Sequence, residues 1–274
     1  MSSPPASPAR RPPAPFVIAI GLTGGLISGL VGVGGGIVMV PLMVAILAMT
    51  QHRAHGTSLA MIVPIAISAV IPYWIAHGMD WLIVVSLAGT SVGFAVVGAR
   101  LTKHLNATVL RRGFAVLLML TAIRLLLSAQ SAAMFGQMEG LQVIVAALIA
   151  GTVTGLVAGT MGVGGGIVMV PAMVIVMGIE QHVAQGISLA VIVPTAISGA
   201  AQHFRQGNVD FRWALYIAAG GIVGGAVGAQ FAQFIPAFGL RILFAVFALY
   251  SAQRMVGVQG WLLQRIRAAR STAS

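Results

Sequence analysis

A ten-residue segment, GVGGGIVMVP, occurs at residues 32–41 and again, unchanged, at residues 162–171. The same offset of 130 positions (162 minus 32) relates many other identical residues without an insertion. They include Gln51-His52 and Gln181-His182, Gly56 and Gly186, Ser58-Leu59-Ala60 and Ser188-Leu189-Ala190, Asp80 and Asp210, and Gly98 and Gly228. Self-similarity at a fixed spacing indicates a duplicated structural unit. We assign the first repeat to residues 16–127 and the second to residues 141–257.

Three stretches lie outside the repeats. Residues 1–15 are rich in proline and serine, which predicts a disordered N-terminal arm. Residues 128–140 link the repeats, and residues 258–274 form a tail that we expect to be amphipathic.

The low content of charged residues determines the fold class. Only 7% of the residues are charged, and the mean hydropathy is +1.00, whereas soluble proteins carry about 25% charged residues. We therefore predict an all-α polytopic membrane protein with five apolar helical segments in each repeat. The segments are predicted near 16–31, 36–49, 57–77, 81–102 and 108–127, and near 141–161, 166–178, 187–206, 211–233 and 238–257. Three of each set are long enough for a hydrocarbon core of about 30 Å. The first two of each set are shorter and flank the glycines, either as half-helices or as a tight pair.

The basic residues predict the orientation of the repeats. The net charge is +11, but the basic residues stand at the ends of apolar segments and not on one soluble face, which argues against nucleic-acid binding. Arg100, Lys103, Arg111 and Arg112 crowd one connection, which should therefore be cytoplasmic. Counting crossings from there places both termini in the cytoplasm and residues 128–140 in the periplasm of a bacterial inner membrane. Each repeat then has three full spans plus a glycine-broken short pair that begins and ends on the same side. Because the number of crossings is odd, the second repeat is inverted relative to the first.

The glycine runs are the strongest candidates for a binding site. Consecutive glycines break helices, and irregular backbone is tolerated in a membrane only where it is buried in protein or lines a cavity. A helix that starts after such a break directs unpaired N–H groups toward an anion. The predicted substrate-binding glycines are Gly32, Gly34, Gly35, Gly36, Gly162, Gly164, Gly165 and Gly166. The alternative is close helix packing, which we prefer for the series at residues 21, 25 and 29 and at residues 151, 155 and 159.

Hydroxyl and proline residues near the glycines have two interpretations each. Thr57, Ser58 and Ser188 could donate hydrogen bonds to an anion, or they could cap the third segment of their repeat. The prolines could shape a cavity or only kink their helices; they are Pro41, Pro64, Pro171 and Pro194. His52 and His182 are expected in solvated polar turns.

The sequence resembles the TauE/SafE family of sulfite exporters, also called toluene-sulfonate uptake permeases. The resemblance rests on GLxGxGGGxxxxP, which begins at Gly29, and on GTSLA at residues 56–60 with its echo GISLA at residues 186–190. It implies a carrier of sulfite, sulfonates or related organosulfur anions that works in either direction without ATP. It also implies that the two glycine runs, Thr57, Ser58 and Ser188 form the site. Ile187 stands where the first repeat has Thr57, so the site need not be symmetric.

These observations predict a secondary transporter of a small sulfur-containing anion in the lipid bilayer. An anion channel is the alternative, and an intramembrane enzyme is less favoured because the sequence lacks a nucleophile–base pair or a metal-binding motif. We expect no enzymatic activity, no cofactor and no metal. Formation of a homo-oligomer is left open.

Overall fold

The computed structural model describes residues 13–101, 107–127, 138 and 140–256, and these residues are helical apart from short connections. They form ten helices, the seventh of which continues as a π-helix. The helices are α1 (Ala14–Val31), α2 (Gly36–Ile46), α3 (Gln51–His77), α4 (Trp81–Leu101), α5 (Ala107–Leu127), α6 (Leu141–Met161), α7 (Gly166–Pro171, then π-helical over Ala172–Val176), α8 (Gln181–Arg205), α9 (Phe211–Ala232) and α10 (Ala237–Val256). Most of the predicted arm and linker, and all of the predicted tail, lie outside the described residues.

The predicted all-α membrane fold is confirmed. Helices α1, α3, α4, α6, α8 and α9 are long and apolar enough to cross a bilayer. The prediction of two short segments per repeat holds for α2 and α7 only, because α1 has 18 residues and α6 has 21. At 1.5 Å per residue even α1 is about 27 Å long. Each glycine run therefore joins a long helix to a short one.

The third helix of each repeat begins earlier than predicted. Helix α3 begins at Gln51 and is capped by Thr50, whose hydroxyl accepts a hydrogen bond from the Arg53 N–H at 3.4 Å. Helix α8 begins at Gln181. The capping interpretation of Thr57, Ser58 and Ser188 is therefore wrong, because these residues lie in the second turn of their helices. The polar residues before them continue the helix instead of forming a turn.

Glycine seams join α1 to α9 and α4 to α6. A Cβ atom on Gly25 would lie 2.3 Å from the carbonyl oxygen of Gly221, and a Cβ atom on Gly155 would lie 2.4 Å from that of Ser91. The seam continues through residues 21 and 29 in α1 and through residues 151 and 159 in α6. The close-packing interpretation of these glycines is confirmed.

The same helix contacts occur in both repeats, and in each repeat one long helix packs against the other repeat. Helix α9 packs on α1 and α3, and helix α4 packs on α6 and α8. We name α1, α2, α3 and α9 the first bundle and α6, α7, α8 and α4 the second bundle. The equivalent helices α3 and α8 meet between the bundles in opposite directions, since Gly56 lies against His203 whereas Gly186 lies against Tyr73. This antiparallel pairing supports an inverted repeat, whose orientation in the membrane stays a prediction.

The two ends of the bundles differ in their charged and polar residues. At one end Arg53 pairs with Asp210 at 3.1 Å, and Gln206 donates a hydrogen bond to the carbonyl of Ala99 at 3.3 Å. We call this the basic end, because the helix ends that meet here carry Arg53, Arg100, Arg205 and Arg212. At the opposite end, the histidine end, the rings of His77 and His182 stack with centroids 4.7 Å apart.

The basic end is expected to face the cytoplasm, because positively charged connections are retained there. A reporter that is active only in the cytoplasm, fused after Ser274, should therefore be active, and the same fusion to a periplasmic reporter should be silent. Activity of the periplasmic reporter alone would contradict the assigned orientation.

Candidate functional site

Both glycine runs interrupt the helix through left-handed backbone. Gly32 has a φ of +72° and ends α1, Gly34 has a φ of +84°, and Gly35 has a φ of +72° and precedes α2. The second run repeats this conformation at residues 162, 164 and 165, with φ values of +67°, +83° and +88°. Glycine adopts such angles without steric cost, and other residues rarely do. The predicted helix breaks are confirmed, and we call them the first break (residues 32–36) and the second break (residues 162–166).

The short helices that follow the breaks begin with unpaired N–H groups. Within the described chain, the N–H groups of Gly36 and Ile37 donate no hydrogen bond, and neither do those of Gly166 and Ile167. The first hydrogen bonds of these helices start at Val38 and Val168, which donate to the carbonyls of Gly35 and Gly165. A helix start of this kind carries a partial positive charge.

The two breaks lie against each other between α3 and α8. A Cβ atom on Gly36 would lie 2.6 Å from the carbonyl oxygen of Gly162, and one on Gly166 would lie 2.7 Å from that of Gly32. Gly34 and Gly164 both face the same two side chains, Ile62 and Ile192. Every residue of both breaks is buried. The structure therefore brings the two predicted glycine sites together in one closed, buried location.

The three predicted hydroxyl residues have different environments. Ser188 donates a hydrogen bond to the carbonyl of Gly32 at 2.8 Å and so contacts the first break directly. Ser58, its equivalent, is fully buried, and its hydroxyl has no partner among the described residues. Thr57 instead accepts a hydrogen bond from the N–H of Asp210 at 3.0 Å, toward the basic end.

The four predicted prolines all lie inside helices. Pro41 and Pro171 lie in α2 and α7, and Pro64 and Pro194 lie in α3 and α8. After Pro171 the helix changes to a π-helix, whereas α2 continues as an α-helix beyond Pro41. A proline frees a carbonyl of the preceding turn, and π-helical turns are frequent at functional sites.

Buried polar residues secure the helices next to the breaks, and sequence analysis did not select them as site residues. Tyr73 donates a hydrogen bond to the carbonyl of Gly29 at 2.9 Å, near the end of α1. His203, at the equivalent position of the second repeat, bonds the carbonyl of Gly159 through Nε2 at 3.0 Å. The offset of 130 positions relates both the side chains and the carbonyls, but the two side chains are different residues, so a search for identical residues passes over them.

Two further missed residues lie directly on the breaks. A Cβ atom on Gly32 would lie 2.8 Å from the Gln185 side chain, and one on Gly162 would lie 2.6 Å from the His55 backbone. Gln185 is fully buried, and one end of its amide bonds the Tyr73 hydroxyl at 2.8 Å. His55 bonds the carbonyl of Met161 through Nδ1. Each break is thus covered by a long helix of the other repeat.

The sequence predicted a solvated turn at His182, and this prediction is wrong. His182 is buried in the first turn of α8, with Nδ1 at 2.9 Å from a Glu180 carboxylate oxygen and Nε2 at 3.1 Å from the carbonyl of Ile235. His52, by contrast, is exposed.

A cavity of about 700 Å³ lies beside α7. Its lining is almost entirely apolar and comes from α5, α6 and α7, with Thr121 and Gln142 among the few polar residues. Pro171 and the π-helical turn form part of its wall, but no glycine of either break does.

Broken helices that meet between long apolar helices are an architecture of membrane transporters, and the chain is similar to curated proteins that are described as probable membrane transporters. It is 28% identical over 238 residues to the probable membrane transporter protein YunE of Bacillus subtilis (strain 168), covering 78% of this chain and 86% of that protein. It is 26% identical over 215 residues to the probable membrane transporter protein YdhB of the same strain, covering 77% and 87%. A probable membrane transporter protein of Xylella fastidiosa (strain 9a5c) is 27% identical over 225 residues, covering 78% and 83%. No solved structure is significantly similar to this chain.

These similarities place the chain in the class of multi-pass membrane transporters. The family model described as sulfite exporter TauE/SafE matches residues 2–125 and 147–273. The chain belongs to this family, as the glycine motifs predicted.

Proposed function

We propose that this protein is a secondary transporter that carries a small sulfur-containing anion through the bacterial inner membrane, and that the anion binds between the two breaks. The observation that carries the proposal is the meeting of the breaks, which brings two sets of unpaired N–H groups to one location. The donors are the N–H groups at residues 36–37 and 166–167. No step of this function requires a chemical reaction, a cofactor or a metal.

The electrostatics of the interior favour an anion. An anion in an apolar interior needs compensating donors, because burial of an unpaired charge is strongly unfavourable. Unpaired N–H groups and the Ser58 hydroxyl can supply such donors. The acidic residues in the described chain, Asp80, Glu180 and Asp210, all lie in connections at the ends of the helices, so they do not repel an anion at the breaks.

Binding at the breaks requires a change of conformation. The breaks contact each other in the closed arrangement, so the first and second bundles must separate to admit an anion. Rigid-body rocking of two bundles around a fixed site is the usual basis of alternating access. A permanently open anion channel is less consistent with this closed packing.

The substrate class rests on family membership. The family description names sulfite export, and sulfite and sulfonates share a compact group of oxygen atoms on sulfur. Three such oxygen atoms can accept hydrogen bonds from N–H groups that converge from two directions.

Uptake into proteoliposomes tests the proposal. Purified protein should accumulate labelled sulfite, taurine or sulfoacetate above the level of protein-free vesicles, and an imposed pH or sodium gradient should identify the driving force. Sulfate serves as a competitor whose charge resembles that of sulfite and sulfoacetate. Wild-type protein that carries none of these sulfur anions, while carrying an unrelated solute, would disprove the proposed substrate class.

A further inference from the structure

Two lines of polar side chains lead from the opposite ends of the protein to the two breaks. One lies on α8 and comprises Gln181, Gln185 and Ser188; the other lies on α3 and comprises Gln51, His55 and Ser58. Residues spaced by four and three positions lie on one face of a helix. The two lines are equivalent under the offset of 130 positions, and because α3 and α8 are antiparallel, they approach the breaks from opposite ends. We call them the α8 line and the α3 line.

The α8 line begins at the histidine end and reaches the first break. Gln181 is fully buried, and neither polar atom of its amide has a partner in the described chain. One turn further, Gln185 packs on Gly32. One end of its amide is bonded to Tyr73, and the other end has no partner in the part of the chain that the structure describes. Ser188 completes the line at the carbonyl of Gly32.

The α3 line begins at the basic end and reaches the second break. Gln51 is exposed, and His55 packs on Gly162 and bonds Met161. Ser58 is fully buried, and no described residue bonds its hydroxyl. The α3 line is thus open to its surface at Gln51, whereas the α8 line is buried from its first residue.

The unpartnered amides need a physical explanation. A buried polar group without a partner destabilises a fold, and most buried polar side chains in proteins are hydrogen-bonded. Three unsatisfied amide ends on two successive turns of one helix are therefore unfavourable for stability alone. A ligand or water that visits this helix face would satisfy them.

We propose that the transported anion travels along these two lines, and that Gln185 and His55 are the side chains that pass it to the breaks from the two ends. This inference rests on the proposed function and extends it by assigning a route. The side chains of both lines are amides, hydroxyls and an imidazole, and none is a lysine or an arginine. Such groups can donate hydrogen bonds to sulfonate oxygens without trapping the anion. The route crosses the interface between the bundles, where Tyr73 of the first bundle meets Gln185 of the second.

Cysteine accessibility tests the route in the full-length chain. The sequence contains no cysteine, so an introduced cysteine is the only thiol. The test variants are Gln185→Cys and His55→Cys. The controls are Ala184→Cys and Ala54→Cys, whose positions are fully buried in the apolar core and are also related by the offset. The probe is a membrane-impermeant methanethiosulfonate that carries a sulfonate group, applied to right-side-out and inside-out vesicles.

The route predicts opposite sidedness. His55→Cys should react from one face of the membrane and Gln185→Cys from the other, each at least about tenfold faster than its alanine-site control, and sulfoacetate or taurine should slow both reactions. Reaction no faster than the controls, or reaction of both variants only from the same face, would overturn the route. Opposite-sided reaction that no sulfur anion slows, but that another small anion does, would support the route and contradict the proposed substrate class.

A charge substitution tests the role of Gln185 independently. Gln185→Glu preserves the shape of the side chain and introduces a negative charge, whereas Gln185→Leu removes only the hydrogen-bonding groups. Because a lost hydrogen bond to a charged group corresponds to about tenfold in affinity, Gln185→Leu should raise the KM of uptake by roughly that factor. Gln185→Glu should raise it further, since it repels an anion. Equal KM values for Gln185→Glu and wild type would contradict contact between Gln185 and the anion.

Discussion

Replacing Gly34 by alanine is expected to reduce transport by at least about tenfold while the protein still folds, because the loss of a hydrogen bond to an ion has roughly this effect. Gly34 has a φ of +84°, and a Cβ atom there would lie 3.4 Å from Ile62 and Ile192, which is an ordinary contact distance. The backbone strain of a left-handed alanine is about 1–2 kcal/mol, small enough for the fold to survive. The added methyl group lies between the breaks, where the anion is proposed to bind. Uptake rates normalised to the amount of monodisperse protein measure the effect.

The exposed glycines of α4 provide a matched control. A Cβ atom on Gly89 would meet no atom within 4 Å, and alanine is more favourable than glycine within a helix by about 1 kcal/mol. Gly89→Ala should therefore transport like wild type. Wild-type uptake by Gly34→Ala as well would remove the first break from the binding site.

The equivalent substitution in the second repeat measures whether both breaks contribute. Gly164 has a φ of +83°, and a Cβ atom there would lie 3.3 Å from Ile192 and 3.5 Å from Ile62. The local geometry is almost the same at both breaks, but the adjacent side chains are Gln185 at the first and His55 at the second. A larger effect of one substitution would identify the break that holds the anion more tightly.

Features that a single residue type enforces could be predicted from the sequence. The helix breaks follow from glycines that adopt positive φ, and the seam at Gly25 and Gly155 follows from small residues at four-residue spacing. Both features are local, and the repeat displays each of them twice. The repeat also predicted that the two breaks meet, and the structure shows them in contact.

Two features of α3 and α8 could not be predicted from the sequence: where α3 begins, and which side chains of α8 contact the first break. The start of α3 was misplaced because Gln51 and His55 resemble a polar turn, although Thr50 caps a helix that includes them. Gln185 became a candidate only when the structure placed it on Gly32, 153 positions away (185 minus 32) in the sequence. Such contacts depend on helix packing and have no local sequence signature.

Replacing Gly155 by leucine is expected to abolish folding itself, in contrast to Gly34→Ala. A Cβ atom on Gly155 would lie 2.4 Å from the Ser91 carbonyl oxygen, 2.8 Å from the Ser91 Cα and 3.0 Å from the Ala95 nitrogen. These are backbone atoms of α4, so they cannot rotate away as a side chain would, and the whole seam must separate. Overpacking typically costs about 1–3 kcal/mol and occasionally more. Because backbone atoms are the obstacle here, we expect the upper end of that range, a large part of the stability of a typical domain.

The expected result for Gly155→Leu is a loss of monodisperse protein after detergent extraction, or a clearly lower melting temperature of what remains. Gly93→Leu is the control, because Gly93 lies on the outer face of α4 with no atom within 4 Å of a Cβ, and its melting temperature should stay near that of wild type. A normally folded Gly155→Leu protein would mean that α4 and α6 do not pack through this seam. Loss of folding at the seam and loss of transport at the break would together separate two roles of glycine in one chain. At the seam, glycine permits two helices to touch; at the break, its left-handed backbone leaves unpaired the N–H groups to which the anion is proposed to bind.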